Sequence, residues 1–489
     1  MKKNSFQILI TCSFLFLVFI AFSCSKKTVN GGQPVPVVPV TPTTYSVAIW
    51  LTDPNSSVYF NKQNIGLNFS TTTDNNPVIG VDTASTYQSI DGFGFCLTGG
   101  SASLINALPS QQQNALLKEL FLTDSTHIGI SYLRISMGAS DLSASDFTYD
   151  DVATGSTDVT LSNFSINNET ADLIPVLKKI VALNPHIKFL ATPWTAPVWM
   201  KVNTIGANGF SGGSLNTAYY DVYAKYFVKY IQAMAAQGIT IDAVTPQNEP
   251  LNAYNNPAMV MQPVEECNFV KNNLGPQFVA AGLSTKIIVY DHNTDRTDYP
   301  LTILGDAVAN PFVDGSAFHL YAGNIGALSP VHNAYPNKNV YFTEQYTAST
   351  GNFAGDLGWH ITNLIVGATK NWSRNVLEWN LATDPSFGPH TNGGCSTCLG
   401  ALTINGTNIN RNVSYYIIAH ASKFVRPGAV RIASDDISGF SNVAFKNTDG
   451  TKVLIVLNTA STPQAFDIKF NGKIASTTLN GGSVATFVW

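Results

Sequence analysis

An apolar, strand-like run ending in polar or aromatic residues recurs eight times between about residue 88 and residue 380. The runs are "SIDGFGFCLTGG", "ISYLRISMGASD", "IKFLATPWTAP", "DAVTPQNEP", "KIIVYDHN", "GSAFHLYAG", "NVYFTEQY" and "NVLEWNLA". Helical stretches lie between them. "SQQQNALLKELF" begins after Pro109, with Ser110 as its expected N-cap. "TAYYDVYAKYFVKYIQAMAAQG" carries apolar residues at helical spacing and should stop at Gly238. Strands alternating with helices imply a parallel sheet. Repeated eight times, the unit predicts an α/β fold, a closed (β/α)8 barrel. In such a barrel the functional groups stand at the C-terminal ends of the strands.

The ends of these runs are chemically distinctive. They offer Arg134 and Asp141, Trp194, Asn248 and Glu249, Asp291 and His292, His319 and Tyr321, Glu344, and Trp379 and Asn380. A single polar strand end simply meets water. A whole ring of them around one mouth is a binding site.

Outside residues 85–424, the expected barrel, the pattern is β structure. "GAVRIAS", "SNVAFKNTDGTKVLIVLNT", "QAFDIKFNGK" and "ASTTLNGGSVATFVW" are short strands punctuated by turns, predicting a small β-sandwich over 425–489. Strands within 45–84 are expected to join it.

The first 24 residues read as an export signal. "MKKN" is positive, "FQILITCSFLFLVFIAF" is apolar, and "AFSC" resembles a lipoprotein processing site, with Cys24 as the lipidated residue. The Pro-rich stretch 25–44 cannot build a core and reads as an extended tether. The expected location is therefore the bacterial cell envelope, with membrane contact through the lipid anchor only. Cys96 and Cys267 read as buried apolar residues. Cys395 and Cys398, in "CSTC", could with His390 form part of a metal site, but no second ligand pair exists. A local disulfide is the expectation for an exported chain.

Composition removes one class of function. The balance of 27 basic against 31 acidic residues gives a net charge of −4, and no basic footprint for nucleic acid is present. Charged residues are 12% and aromatic residues 11% of the chain. Flat rings among neutral polar groups suit sugar recognition, and they equally suit a large core.

Glu249 ends run four and Glu344 ends run seven, so the two should face each other across the barrel mouth. Opposed carboxylates in an aromatic cleft suggest glycoside hydrolysis, one acting as acid and the other as nucleophile. Strand-end carboxylates are costly to bury without a use.

The stretches "DGFGFCLTGGSA", "YLRISMGASDL", "LATPWTAPVWMK", "AVTPQNEP", "FHLYAG", "FTEQY", "EWNLA" and "ASKFVRPGAVRI" together resemble glycoside hydrolase family 30, which includes lysosomal glucosylceramidase and microbial β-1,6-glucanases. The resemblance covers roughly residues 85–489 and keeps the family's order. It implies Glu249 as general acid/base and Glu344 as nucleophile. It implies a substrate-binding set of Arg134, Asp141, Trp194, Asn248, His319, Tyr321, Trp379 and Asn380, with Asp291 and His292 as further candidates. Within that set, Asn248 would bond the sugar 2-hydroxyl, Arg134 would orient or ionise Glu344, and His319 and Tyr321 would form an aromatic wall. No metal or cofactor is implied.

Two stretches depart from the lysosomal pattern: Phe95 and Gly99 in "GFGFCLTGG", and "PHTNGGCSTCLGALTI" after run eight. Both are expected in loops that shape the sugar subsites. They lean the substrate toward β-1,6-glucan and away from glycolipid, with glucosylceramidase-like or β-xylosidase activity as the alternatives. A non-catalytic glycan-binding lipoprotein is the alternative of another class, although such barrels tend to lose a catalytic carboxylate.

Overall fold

The computed structural model describes residues 46–489. The expected export signal, the tether and Cys24 lie outside the described residues. Among the described residues, no helix is long and apolar enough to cross a membrane.

The eight runs form a closed parallel barrel. Its strands are Gly92–Leu97, Tyr132–Ser136, Lys188–Thr192, Ala243–Val244, Lys286–Asn293, Val313–His319, Asn339–Glu344 and Ser373–Asn380. They are named here strands one to eight. Strand eight pairs with strand one, which closes the ring. Strands one and two approach so closely that a Cβ at Gly94 would stand 1.9 Å from the Tyr132 carbonyl oxygen, so only glycine fits there.

Amphipathic helices wrap the ring. Tyr220–Ala236 buries Tyr223, Tyr226, Phe227 and Tyr230 on one face. It ends before Gly238, whose φ of +81° suits a chain reversal. Ser110 is not the cap of its helix. The helix Ser110–Phe121 begins at Ser110 itself, with Pro109 at the cap position and no side-chain cap bond. Proline supplies a fixed backbone angle there instead of a hydrogen bond.

Ser46–Asp53 pairs antiparallel with Val484–Val488. Val78–Ser89 pairs with Val430–Ser434 and with Gln464–Phe470. The N-terminal strands thus complete the sandwich, and Val47, Ile79, Leu454, Phe466 and Phe487 share its core. His420, on the helix Val413–Ser422, ties the sandwich to the barrel. Its ring nitrogens meet Thr486 Oγ1 at 2.9 Å and Thr52 Oγ1 at 2.8 Å. Burial holds its pKa at about 3, so it is a neutral pin.

Candidate active site

The barrel interior is built in layers. Tyr132, Leu190, Ala243, Ile288, Ala317, Tyr341 and Leu377 form a buried apolar plug. Strand side chains alternate with period two, so residues two positions further on face the same way, one layer nearer the mouth. Those residues include Arg134, Thr192, Thr245, His319, Thr343 and Trp379. The layer switches abruptly from apolar to polar.

Strand five departs from this alternation. Its register against strand six shifts between Tyr290 and His292. Tyr290 and Asp291 both have positive φ, at 79° and 62°. This bulge brings Asp291 into the polar layer, while Tyr290 packs on Tyr299.

Arg134 and Asp291 are both fully buried and meet at 2.8 Å. Arg134 also donates to Glu344 Oε2 at 2.5 Å and to Asn248 Oδ1 at 2.6 Å. Thr245 and Thr343 donate to Asp291 at 2.8 and 2.6 Å. One guanidinium is thereby held between two carboxylates and an amide, the fork geometry that arginine supplies and lysine cannot. Its carbon lies 4.7 Å from the Trp194 ring centroid. Burial alone would raise the Asp291 carboxyl. The Arg134 charge and His319 outweigh it and hold the group well below the usual carboxylate range.

Glu249 and Glu344 stand together at the mouth. With His319, each offers a ligand atom within 4.8 Å of the others. His319 Nδ1 lies 3.2 Å from Glu249 Oε1, and its Nε2 lies 3.1 Å from Asp291 Oδ1. Asn252 Nδ2 donates to Glu249 Oε2 at 2.8 Å. Tyr321 donates to Glu344 Oε1 at 2.9 Å. Glu249 sits at φ 43°, a conformation unusual for a glutamate. Its N–H donates to the Asp291 carbonyl at 3.1 Å, which secures that turn.

Burial disfavours a charge on Glu249, but the His319 hydrogen bond and charge, with His292 and Asn252, bring it down to about 2. Burial raises Glu344; His319 and Arg134 oppose this, and the Glu249 charge adds to it. His319 is itself pushed up to about 9, because Glu344, Asp291 and Glu249 overcome the cost of its burial. Around neutral pH the His319 ring is thus a cation, with both nitrogens donating.

The cleft above these groups has a volume of about 490 Å³, within the roughly 300–1,000 Å³ of ordinary ligand sites. Asp141, Tyr321, Tyr346, Trp379 and the Cys395–Cys398 disulfide help to line it. Trp194 packs on Trp379 with ring centroids 5.4 Å apart. Asp141 Oδ1 and Trp194 Nε1 are buried without a partner. Buried polar atoms ordinarily find one, and Asp141, which lines the cleft, can take one from a ligand's hydroxyl group. Burial, then the Glu344 and Glu249 charges, push Asp141 up to about 7.

The expected residues converge, with corrections. Arg134, Asp291 and His319 are fully buried and stand behind the cleft wall, not on it. Period two puts Arg134 and His319 in the layer below the mouth, and the bulge puts Asp291 there. From there Arg134 bonds Glu344, His319 bonds Glu249, and Asp291 holds both Arg134 and His319. His292, by contrast, lines the cleft. Asn248 Oδ1 is already engaged by Arg134, which orients the amide. Asn380 is buried, with both amide atoms unpartnered. Phe95 is not a subsite residue: it belongs to strand one and is fully buried. Gly99 opens the helix Gly99–Asn106 and does not line the cleft. Asn252, Thr245 and Thr343 were not legible as site residues. Asn252 carries a faint signal, since it lies three residues after Glu249 across the turn.

Residues 90–425 match the glycosyl hydrolase family 30 TIM-barrel domain, and residues 428–487 match that family's beta sandwich domain. The chain belongs to glycoside hydrolase family 30. It is 37% identical over 401 residues to the endo-1,6-beta-D-glucanase BGN16.3 of Trichoderma harzianum, covering 77% of this chain and 79% of that one. It is 28% identical over 431 residues to the lysosomal acid glucosylceramidase of Mus musculus, covering 82% and 81%. Among solved structures, the endo-beta1,6-glucanase BT3312 shares 38% identity at a TM-score of 0.84, covering 91% of this chain and 99% of that one. The protein is a glycoside hydrolase of this family, with the family's barrel and sandwich.

Proposed function

We propose that the protein is a retaining endo-β-1,6-glucanase, with Glu344 as nucleophile and Glu249 as acid/base. The proximity of the two carboxylates carries this reading. Oxygens within 4.8 Å suit the roughly 5–5.5 Å carboxyl separation of retaining enzymes and fall short of the roughly 6.5–9.5 Å of inverting ones. The substrate reading draws on the relatives named endo-1,6-β-glucanases, which share more of the sequence than those named glucosylceramidases.

A Glu344 oxygen attacks the anomeric carbon while Glu249 gives a proton to the glycosidic oxygen. The carbon–oxygen bond breaks and its electron pair leaves with the protonated alcohol. Glu249 then takes a proton from water, whose oxygen displaces Glu344 from the sugar. Net retention follows from the two displacements.

The free site holds its proton on His319, with Glu249 ionised. Transfer of that proton from Nδ1 to Oε1, atoms 3.2 Å apart, makes Glu249 the acid. The transfer neutralises both His319, whose charge holds Glu344 down, and Glu249, whose charge raises it, and leaves Arg134 and Tyr321 as the donors to Glu344. The residues that hold Glu249 low in the free site are thus the ones that can load it.

Residues 1–44 support an envelope location, with the lipid on Cys24. Labelled fatty acid should be incorporated by the parent and not by Cys24→Ala.

The test of the activity is a time course on linear β-1,6-glucan, with products separated by size and the first-formed anomer read by NMR. An oligosaccharide ladder with β anomer first is expected. No release of sugar, or α anomer first, would overturn the proposal.

A further inference from the structure

The loop that follows Glu249 carries an exposed ring on a fixed backbone. Tyr254 is 87% exposed, the most exposed of the large apolar and aromatic residues described. Both ends of its loop are tied. On one side Asn252 is a bridge: its Nδ2 donates to Glu249 Oε2 at 2.8 Å, and its Oδ1 accepts from the Tyr254 N–H at 3.1 Å. On the other side Asn256 Nδ2 donates to Asp146 at 3.0 Å and to the Asn392 carbonyl at 2.9 Å. Ser211 donates to Asn256 Oδ1 at 2.7 Å. Leu251, Asn252 and Asn255, beside Tyr254 in the chain, line the catalytic cleft.

The Tyr254 backbone is therefore two hydrogen bonds from the carboxylate that protonates the leaving oxygen. The acid protonates the leaving oxygen, so the departing part of the substrate lies on the Glu249 side, where this loop lines the cleft. A flat ring held out in water covers no core, and an exposed aromatic face is suited to the apolar face of a sugar ring.

We propose that Tyr254 is the platform for the glucosyl units on the leaving-group side of the scissile bond. This rests on the endo-acting reading above. The platform binds ground state and transition state alike, so its loss raises KM and leaves kcat nearly unchanged.

The test compares the parent chain with Tyr254→Ala and Tyr254→Trp on linear β-1,6-glucan and on β-glucosyl fluoride. The fluoride's leaving group occupies no sugar site. On the glucan, Tyr254→Ala should raise KM about three- to tenfold, and Tyr254→Trp should restore the parent value. On the fluoride both variants should match the parent. An unchanged KM on the glucan, or equal losses on both substrates, overturns the platform while the glucanase reading stands. If the parent releases nothing from the glucan yet turns over the fluoride, the glucanase reading fails and the platform fails with it.

Discussion

Asp291 and Arg134 form a fully buried ion pair 2.8 Å long, and neither residue lies on the cleft wall. Their pairing sets the direction in which Arg134 presents its second nitrogen to Glu344. Removing one member of a buried pair leaves a charge uncompensated. Asp291→Ala should cost about 3–5 kcal/mol of stability, measured by urea unfolding, and lower kcat. A variant as stable and as active as the parent would show that Arg134 is positioned by other groups.

Glu344→Gln removes the attacking oxygen and keeps the shape of the side chain. Turnover should fall by at least about a thousandfold, with an unchanged circular dichroism spectrum. Activity within a few-fold of the parent would remove Glu344 from the nucleophile's role.

Glu249→Ala should act differently on different leaving groups. On β-1,6-glucan the loss should be about 100- to 10,000-fold, the usual contribution of a general acid. On β-glucosyl fluoride, whose leaving group needs little protonation, the first step should be far less affected. The measurement is kcat/KM on both substrates, and equal losses would argue against an acid role.

His319 makes stability depend on pH in a stated window. Its folded pKa of about 9 lies above the ordinary histidine value of about 6.5. Its stabilising contribution is therefore complete below about pH 6.5 and is lost as pH rises through about 9. The stability gap between the parent and His319→Asn should be wide at pH 6 and narrow at pH 9.5. Urea unfolding at both values measures it. An equal gap would mean that the ring is not the cation of the site.

Lys201 is buried, and its Nζ lies within hydrogen-bond distance of Thr195 Oγ1 and of the carbonyls of Gly209, Phe210 and Ala258. It fastens the hairpin formed by Lys201–Ile205 and Ser211–Leu215 to the chain beyond Glu249. Lys201→Met should cost about 1–3 kcal/mol and speed proteolytic nicking between residues 205 and 211. Nicking at the parent's rate would show that the hairpin is held without it.

The barrel was legible because its signal is repeated and local. Each run had the length and composition of a buried strand, and each ended in groups that a barrel gathers at one face. The converging ends of runs four and seven were legible for the same reason. The bulge at Asp291 was not, because one extra residue inside an apolar strand leaves no trace in periodicity. That residue separates a cleft-wall reading of Asp291 from its observed place behind Arg134. His319 was misplaced on the wall for a related reason. Its depth depends on counting two residues from Ala317 along the strand, and that needs the register between strands. Phe95 and Gly99 looked like loop residues only because the end of strand one could not be set from sequence.

The sequence by itself determined the barrel, the sandwich and the pair of carboxylates, since strand and helix periods and strand-end chemistry act over a few residues. Tertiary structure alone decided which groups share a proton and a charge. Arg134 meets Glu344 across 210 positions of sequence, and His319 meets Glu249 across 70. Such meetings depend on strand register and on one bulge. Electrostatic coupling between buried groups falls off over a few ångströms, so it is set only once the barrel has closed.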